Sequence, residues 1–134
     1  MSWDVLIVAA PPHTGSVDQL PQDFDPPPLG TGPEIRRRLR ENFPDLDLAD
    51  PAWGLLGGPT WSIEFNIGSD DPVDSIMLHV RGGDDVLPVV ARVVAVTGGR
   101  ALDISTGVFL TDDCARSAGW HGFQQYRDDI LGRG

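Results

Sequence analysis

The chain has 134 residues, and 20 acidic side chains stand against 10 basic ones, giving a formal net charge of −10. That length fits one domain, residues 1–134, able to bury a core of its own. A charge of that sign repels phosphate backbones and anionic lipid heads, which argues against nucleic-acid and membrane partners and suits a basic protein partner.

Residues 5–10, Val-Leu-Ile-Val-Ala-Ala, are an apolar run bounded by Pro11-Pro12. The run is too short for a secretory or membrane-spanning segment and reads as a central strand buried on both faces. Residues 11–33 hold seven prolines, including Pro26-Pro27-Pro28, so they form a Pro-rich loop. Val17, Leu20 and Phe24 recur within it and predict a loop draped over the body.

Thr31 and Glu34 have capping-box spacing and Pro33 suits a first helical turn. Ile35, Leu39 and Phe43 then form one apolar stripe, and Pro44 ends the helix. Arg36, Arg37, Arg38 and Arg40 cover its other sides; such a cluster can bind phosphate, but a solvated helix face explains it as well.

Residues 61–68 are the clearest strand, with Trp61, Ile63, Phe65 and Ile67 alternating with Ser62, Glu64 and Asn66. After a turn-rich connection, Ile76, Leu78 and Val80 alternate with Met77, His79 and Arg81. A hairpin register that sets Ile63 against Val80 and Phe65 against Leu78 also sets Ser62 against Arg81, Glu64 against His79, and Asn66 against Met77. A slip by one residue would mix the apolar and polar faces, so this register is strongly specified. Upstream, residues 53–56 before the Gly57-Gly58-Pro59 turn suggest a short extra strand.

Asp84 or Asp85 can cap a second helix, in which Leu87, Val90 and Val94 have helical spacing and Gly98-Gly99 marks the end. Leu102 and Ile104 alternate with Asp103 and Ser105 as a last strand, which residues 108–110 extend after Gly107. Residues 106–134 form a C-terminal extension in which Trp120, Phe123 and Ile130 mark an amphipathic helix.

The order strand, helix, strand, strand, helix, strand predicts an α+β domain: a ferredoxin-like split β-α-β-β-α-β antiparallel sheet with a Pro-rich insertion and a C-terminal helix. Both helices then lie on one face of the sheet. Ser62, Glu64, Asn66, His79, Arg81, Asp103 and Ser105 are expected on the other face, as a candidate binding site. The plainer alternative is the wet side of a one-sided sheet, with Glu64–His79 a modest surface pair. A further alternative has the C-terminal helix covering this face through Trp120 and Phe123.

Signals for other chemistry are weak. His13, His79 and His121 have no metal-ligand spacing, and Asp70-Asp71-Pro72-Val73-Asp74 lacks the features of a calcium loop. No Gly-Lys-Ser/Thr motif cradles a phosphate. Cys114 is the only cysteine, which excludes an internal disulfide and fits a cytoplasmic setting; its acidic neighbours disfavour the thiolate. No metal, cofactor or catalytic residue is therefore expected.

Four segments carry a resemblance: Pro26-Pro27-Pro28-Leu29-Gly30-Thr31, Asp50-Pro51-Ala52-Trp53-Gly54, Trp61-Ser62-Ile63-Glu64-Phe65-Asn66 and His79-Val80-Arg81-Gly82-Gly83. Together they resemble a family of small uncharacterised proteins of high-GC bacteria, over the chain up to about Leu110. The absence of lysine fits such a source. Size, acidity and lack of a catalytic signature are similar to immunity proteins that neutralise secreted bacterial toxins. The resemblance implies a protein-binding module that is not an enzyme, and it carries over no functional residues. The alternative is a small enzyme or ligand binder using Glu64, His79, Arg81 and Asp103, and a third expectation is a homodimer through the sheet.

Overall fold

The computed structural model describes residues 2–110 together with Trp120 and Gln124. Within these the fold is α+β: a seven-stranded antiparallel sheet and two α-helices. In chain order the elements are β1 (Trp3–Val8), α1 (Gly32–Asn42), β2 (Asp47–Asp50), β3 (Trp53–Gly57), β4 (Trp61–Asn66), β5 (Ser75–Gly82), α2 (Leu87–Thr97), β6 (Arg100–Asp103) and β7 (Val108–Phe109). The sheet order is β2-β3-β4-β5-β1-β6-β7. The expected four strands and the short extra strand at residues 53–56 (β3) are present, but β2 is added beyond β3 at one edge and β7 at the other, so the sheet departs from the split four-stranded plan read from sequence.

The predicted hairpin register is observed between β4 and β5: Ile63 pairs with Val80, Phe65 with Leu78, Glu64 with His79 and Ser62 with Arg81. The apolar partners are buried. With Trp3, Val5 and Ile7 of β1 they meet Ile35 and Leu39 of α1 and Val90 and Val93 of α2 in one core. Both helices therefore cover the same face. The first strand begins and ends two residues earlier than its apolar run, because Trp3 and Asp4 continue the in–out alternation.

The start of α1 follows its sequence: the Thr31 hydroxyl accepts the Glu34 N–H at 3.2 Å. Glu34 turns forward to Arg38 instead of closing the capping box, and Arg37 pairs with Glu41, so this arginine face is partly neutralised by its own helix. In α2 the N-cap is Val86 and no side chain caps it; the Asp85 carboxylate accepts from Thr60 instead. Gly98, at φ 74°, gives the left-handed ending expected there. Gly82 sits at φ 122° with the Thr60 carbonyl 2.6 Å from where a Cβ would be, so only glycine fits where β5 passes the start of β4.

Two further expectations are corrected. The residues after Gly107 do not extend β6; they turn back, and β7 pairs antiparallel with it, Leu102 against Phe109. Trp120 does not cover the polar face, because its ring packs on Trp3 in the helix-side core with centroids 4.9 Å apart. The expected helix through Phe123 and Ile130, and Cys114, lie outside the described residues.

The Pro-rich loop is tied down as predicted, through Leu20 of the three apolar residues named for it and through Arg100. Leu20 packs on a small second cluster of Val8, Leu102 and Phe109 on the far face of the sheet. Arg100 holds the loop by donating to the Pro11 and Thr14 carbonyls, while Val17 remains exposed.

Candidate binding face

Directly paired residues of an antiparallel sheet point to the same side. The registers can therefore be read as rows across the face away from the helices. One row runs Asp47, Leu55, Glu64, His79, Asp4 across β2, β3, β4, β5 and β1. Ile104 continues it, donating its N–H to the Asp4 carbonyl at 3.2 Å. The next row runs Asp50, Trp53, Asn66, Met77, Leu6, Leu102, Phe109. A third sets Gly57 and Ser62 beside Arg81. The face thus grades from carboxylates at the β2 side to the small apolar cluster at the β7 side.

Glu64 and His79 face each other as predicted, yet neither is the other's closest polar partner. His79 Nδ1 lies 2.8 Å from Asp4 Oδ1, and Arg81 Nη1 donates to Glu64 Oε1 at 2.9 Å. The Ser2 hydroxyl also donates to Asp4 Oδ1, at 2.5 Å. Burial is the largest single influence on the Asp4 carboxyl and pushes its pKa up. The Ser2 and His79 hydrogen bonds and the charges of His79 and Arg81 together outweigh it and hold Asp4 below the ordinary aspartate value. Asp4 is then an acceptor only, so His79 Nδ1 carries the proton between them. Trp53 stacks on the imidazole, its centroid 5.7 Å away at 22°.

Five of the seven predicted site residues, Ser62, Glu64, Asn66, His79 and Arg81, share this face. Asp103 does not. It pairs with Val5, so its side chain points to the helix side, where it is 0% exposed. It does local work there: Oδ1 accepts from the Ser105 N–H at 2.9 Å and the Ser105 hydroxyl at 2.6 Å, while Oδ2 is buried with no hydrogen-bond partner among the described residues. Ser105 belongs to this turn and not to the face. The expected last strand stops at Asp103, and the turn chemistry of Asp and Ser explains why.

Sequence reasoning missed Asp4, Trp53 and Leu55. Asp4 was legible from its alternation with Trp3 and Val5, once the first strand is allowed to begin before its continuous apolar run. Among the described residues no group of three or more His, Cys, Asp or Glu side chains could hold a metal ion. Comparison of the chain with protein-family models, with curated proteins and with solved structures gives no match.

Proposed function

We propose that the chain is a small protein-binding module that takes a basic partner on the face of its sheet away from the helices, in the manner of an immunity protein neutralising a toxin. One observation carries this reading. The row Asp47, Leu55, Glu64, His79, Asp4 ends at Ile104, with Leu55 47% and Ile104 46% exposed. The carboxylates of Asp47, Glu64 and Asp4 are thus interspersed with Leu55, the His79 imidazole and Ile104, and Asp50 and Trp53 lie beside them. Large exposed apolar groups set among charges suit a protein interface, in which the apolar groups anchor and the charges steer. A second copy of the chain would bring like charges together, which disfavours a homodimer through this face.

The adjacency of β4, β5, β1 and β6 supports a ferredoxin-like split plan at the centre of the sheet, with β2, β3 and β7 at its edges. Among the described residues no helix is long and apolar enough to cross a membrane. A cytoplasmic setting, suggested by the single cysteine, belongs to the same proposal.

The Asp4–His79 pair favours a second reading, a small-ligand or acid–base site. With Nδ1 held to Asp4, Nε2 is the ring nitrogen left to exchange a proton, the arrangement acid–base chemistry needs. The open stretch of face around Asp4 and His79 argues against it, since small-molecule sites are concave.

The test is capture from a lysate of the source cells at low salt. A stoichiometric basic protein that elutes as salt rises is the expected result. An acidic partner retained at high salt, or no partner at any salt, would contradict the reading.

A further inference from the structure

Where the central rows meet the loop between β4 and β5, the face dips into a cavity of about 290 Å³. Leu6 and Met77 give it apolar lining, and Asn66, Asp70 and Asp74 give it polar lining. This is at the small end of ligand pockets, which start near ~300 Å³. We propose that the cavity receives a lysine or arginine side chain of the partner. The inference rests on the reading of this face as the contact for a basic protein.

Three observations support the choice of occupant. First, the lining offers a partner to each part of a long basic side chain: Leu6 and Met77 for the aliphatic stem, and the carboxylates of Asp70 and Asp74 with the Asn66 amide for the cation. A neutral apolar group would strand those carboxylates, and an anion would be repelled by them. Second, the cavity is continuous with the proposed interface, because Asn66, Met77 and Leu6 belong to the row beginning at Asp50 and Trp53. Third, the wall is fixed before binding. Ile67 and Gly68 donate to the Ala52 carbonyl at 3.0 and 3.1 Å, Val73 exchanges hydrogen bonds with Gly30 and Leu29, and the Asp71 carboxylate accepts the Gly32 N–H at 2.9 Å. Asp71 is thereby committed to the start of α1, while its neighbours Asp70 and Asp74 are left to line the cavity. A pre-set wall lowers the ordering cost of binding.

Met77 gives a clean reporter, because Met1 is the only other methionine. The full chain, labelled at its methionine and isoleucine methyl groups, would be titrated at low salt with an N-acetylated tetralysine amide. The same peptide acetylated on every side chain keeps the stem and removes the charge. The Met77 methyl should shift with the lysine peptide and stay in place with the acetylated one. The double substitution Asp70→Asn/Asp74→Asn should weaken that response about tenfold. Both aspartates are exposed, so the amide spectrum of the variant should show the fold unchanged. A silent Met77, an equal response to the acetylated peptide, or an unaffected double variant would overturn the proposal. The Ile104 methyl separates the two readings. If it shifts while Met77 does not, the cavity proposal fails and the binding face stands; if neither shifts, both fail.

Discussion

Asp4 owes its low pKa to three neighbours, and each can be removed singly. His79→Gln takes away a charge and Ser2→Ala a hydroxyl donor, so either should raise the Asp4 pKa, measured by carboxyl-carbon NMR titration. An unchanged value in both variants would mean that the contacts do not act on Asp4. The sign for stability follows from the lowered pKa. The contribution of Asp4 is fully present above the unfolded value, about 3.9, and is lost as pH falls through the lower folded value. Asp4 is 40% exposed, so solvent screening keeps that contribution small. Asp103 makes the opposite case. It is buried in a turn on the helix side, so Asp103→Ala should destabilise the fold by about 1–3 kcal/mol in chemical denaturation. Partner affinity should be unchanged by that substitution; a lost affinity in a folded variant would return Asp103 to the site.

Among the elements, the hairpin was the most legible part of the chain. A strict period of two in both strands leaves one register that keeps Phe65 and Leu78 together, and that register placed Glu64, His79, Ser62 and Arg81 on one face. The capping residue Thr31 and the glycine after α2 were equally plain. The short edge strands were not. The apolar positions of β2 are sparse among aspartates that also fit a turn, and β7 is two residues long, held by pairing with β6 that no local pattern announces. The same limit hid the partner of His79. Asp4 lies on a strand far away in sequence, and only the β1–β5 pairing brings it closer to the imidazole than Glu64. Gly82 tests the β4–β5 junction directly. Gly82→Ala forces a Cβ against the Thr60 carbonyl at positive φ and should cost about 1–3 kcal/mol, read from the unfolding midpoint. Thr31→Ala should cost about 0.5–2 kcal/mol by loss of the α1 cap. Tolerance of alanine at either position would refute the local account.

At the scale of the molecule, one division organises everything described. The two helices and the main apolar cluster occupy one side of the sheet. The other side is left to Asp4, Asp47, Asp50 and Glu64, flanked by Trp53, Leu55 and Ile104. A net charge of −10 alone would attract any basic molecule weakly and from all directions. Localised affinity is the stronger claim. It is tested by comparing two charge reversals of equal size in a titration against the captured partner. Asp4→Lys/Glu64→Lys alters the face, and Asp23→Lys/Asp25→Lys makes the same change in net charge on the Pro-rich loop. The account predicts that the face variant loses at least about tenfold in affinity, while the loop variant stays close to the parent chain. Equal losses in the two variants would show that only net charge matters and would contradict a binding site on the sheet.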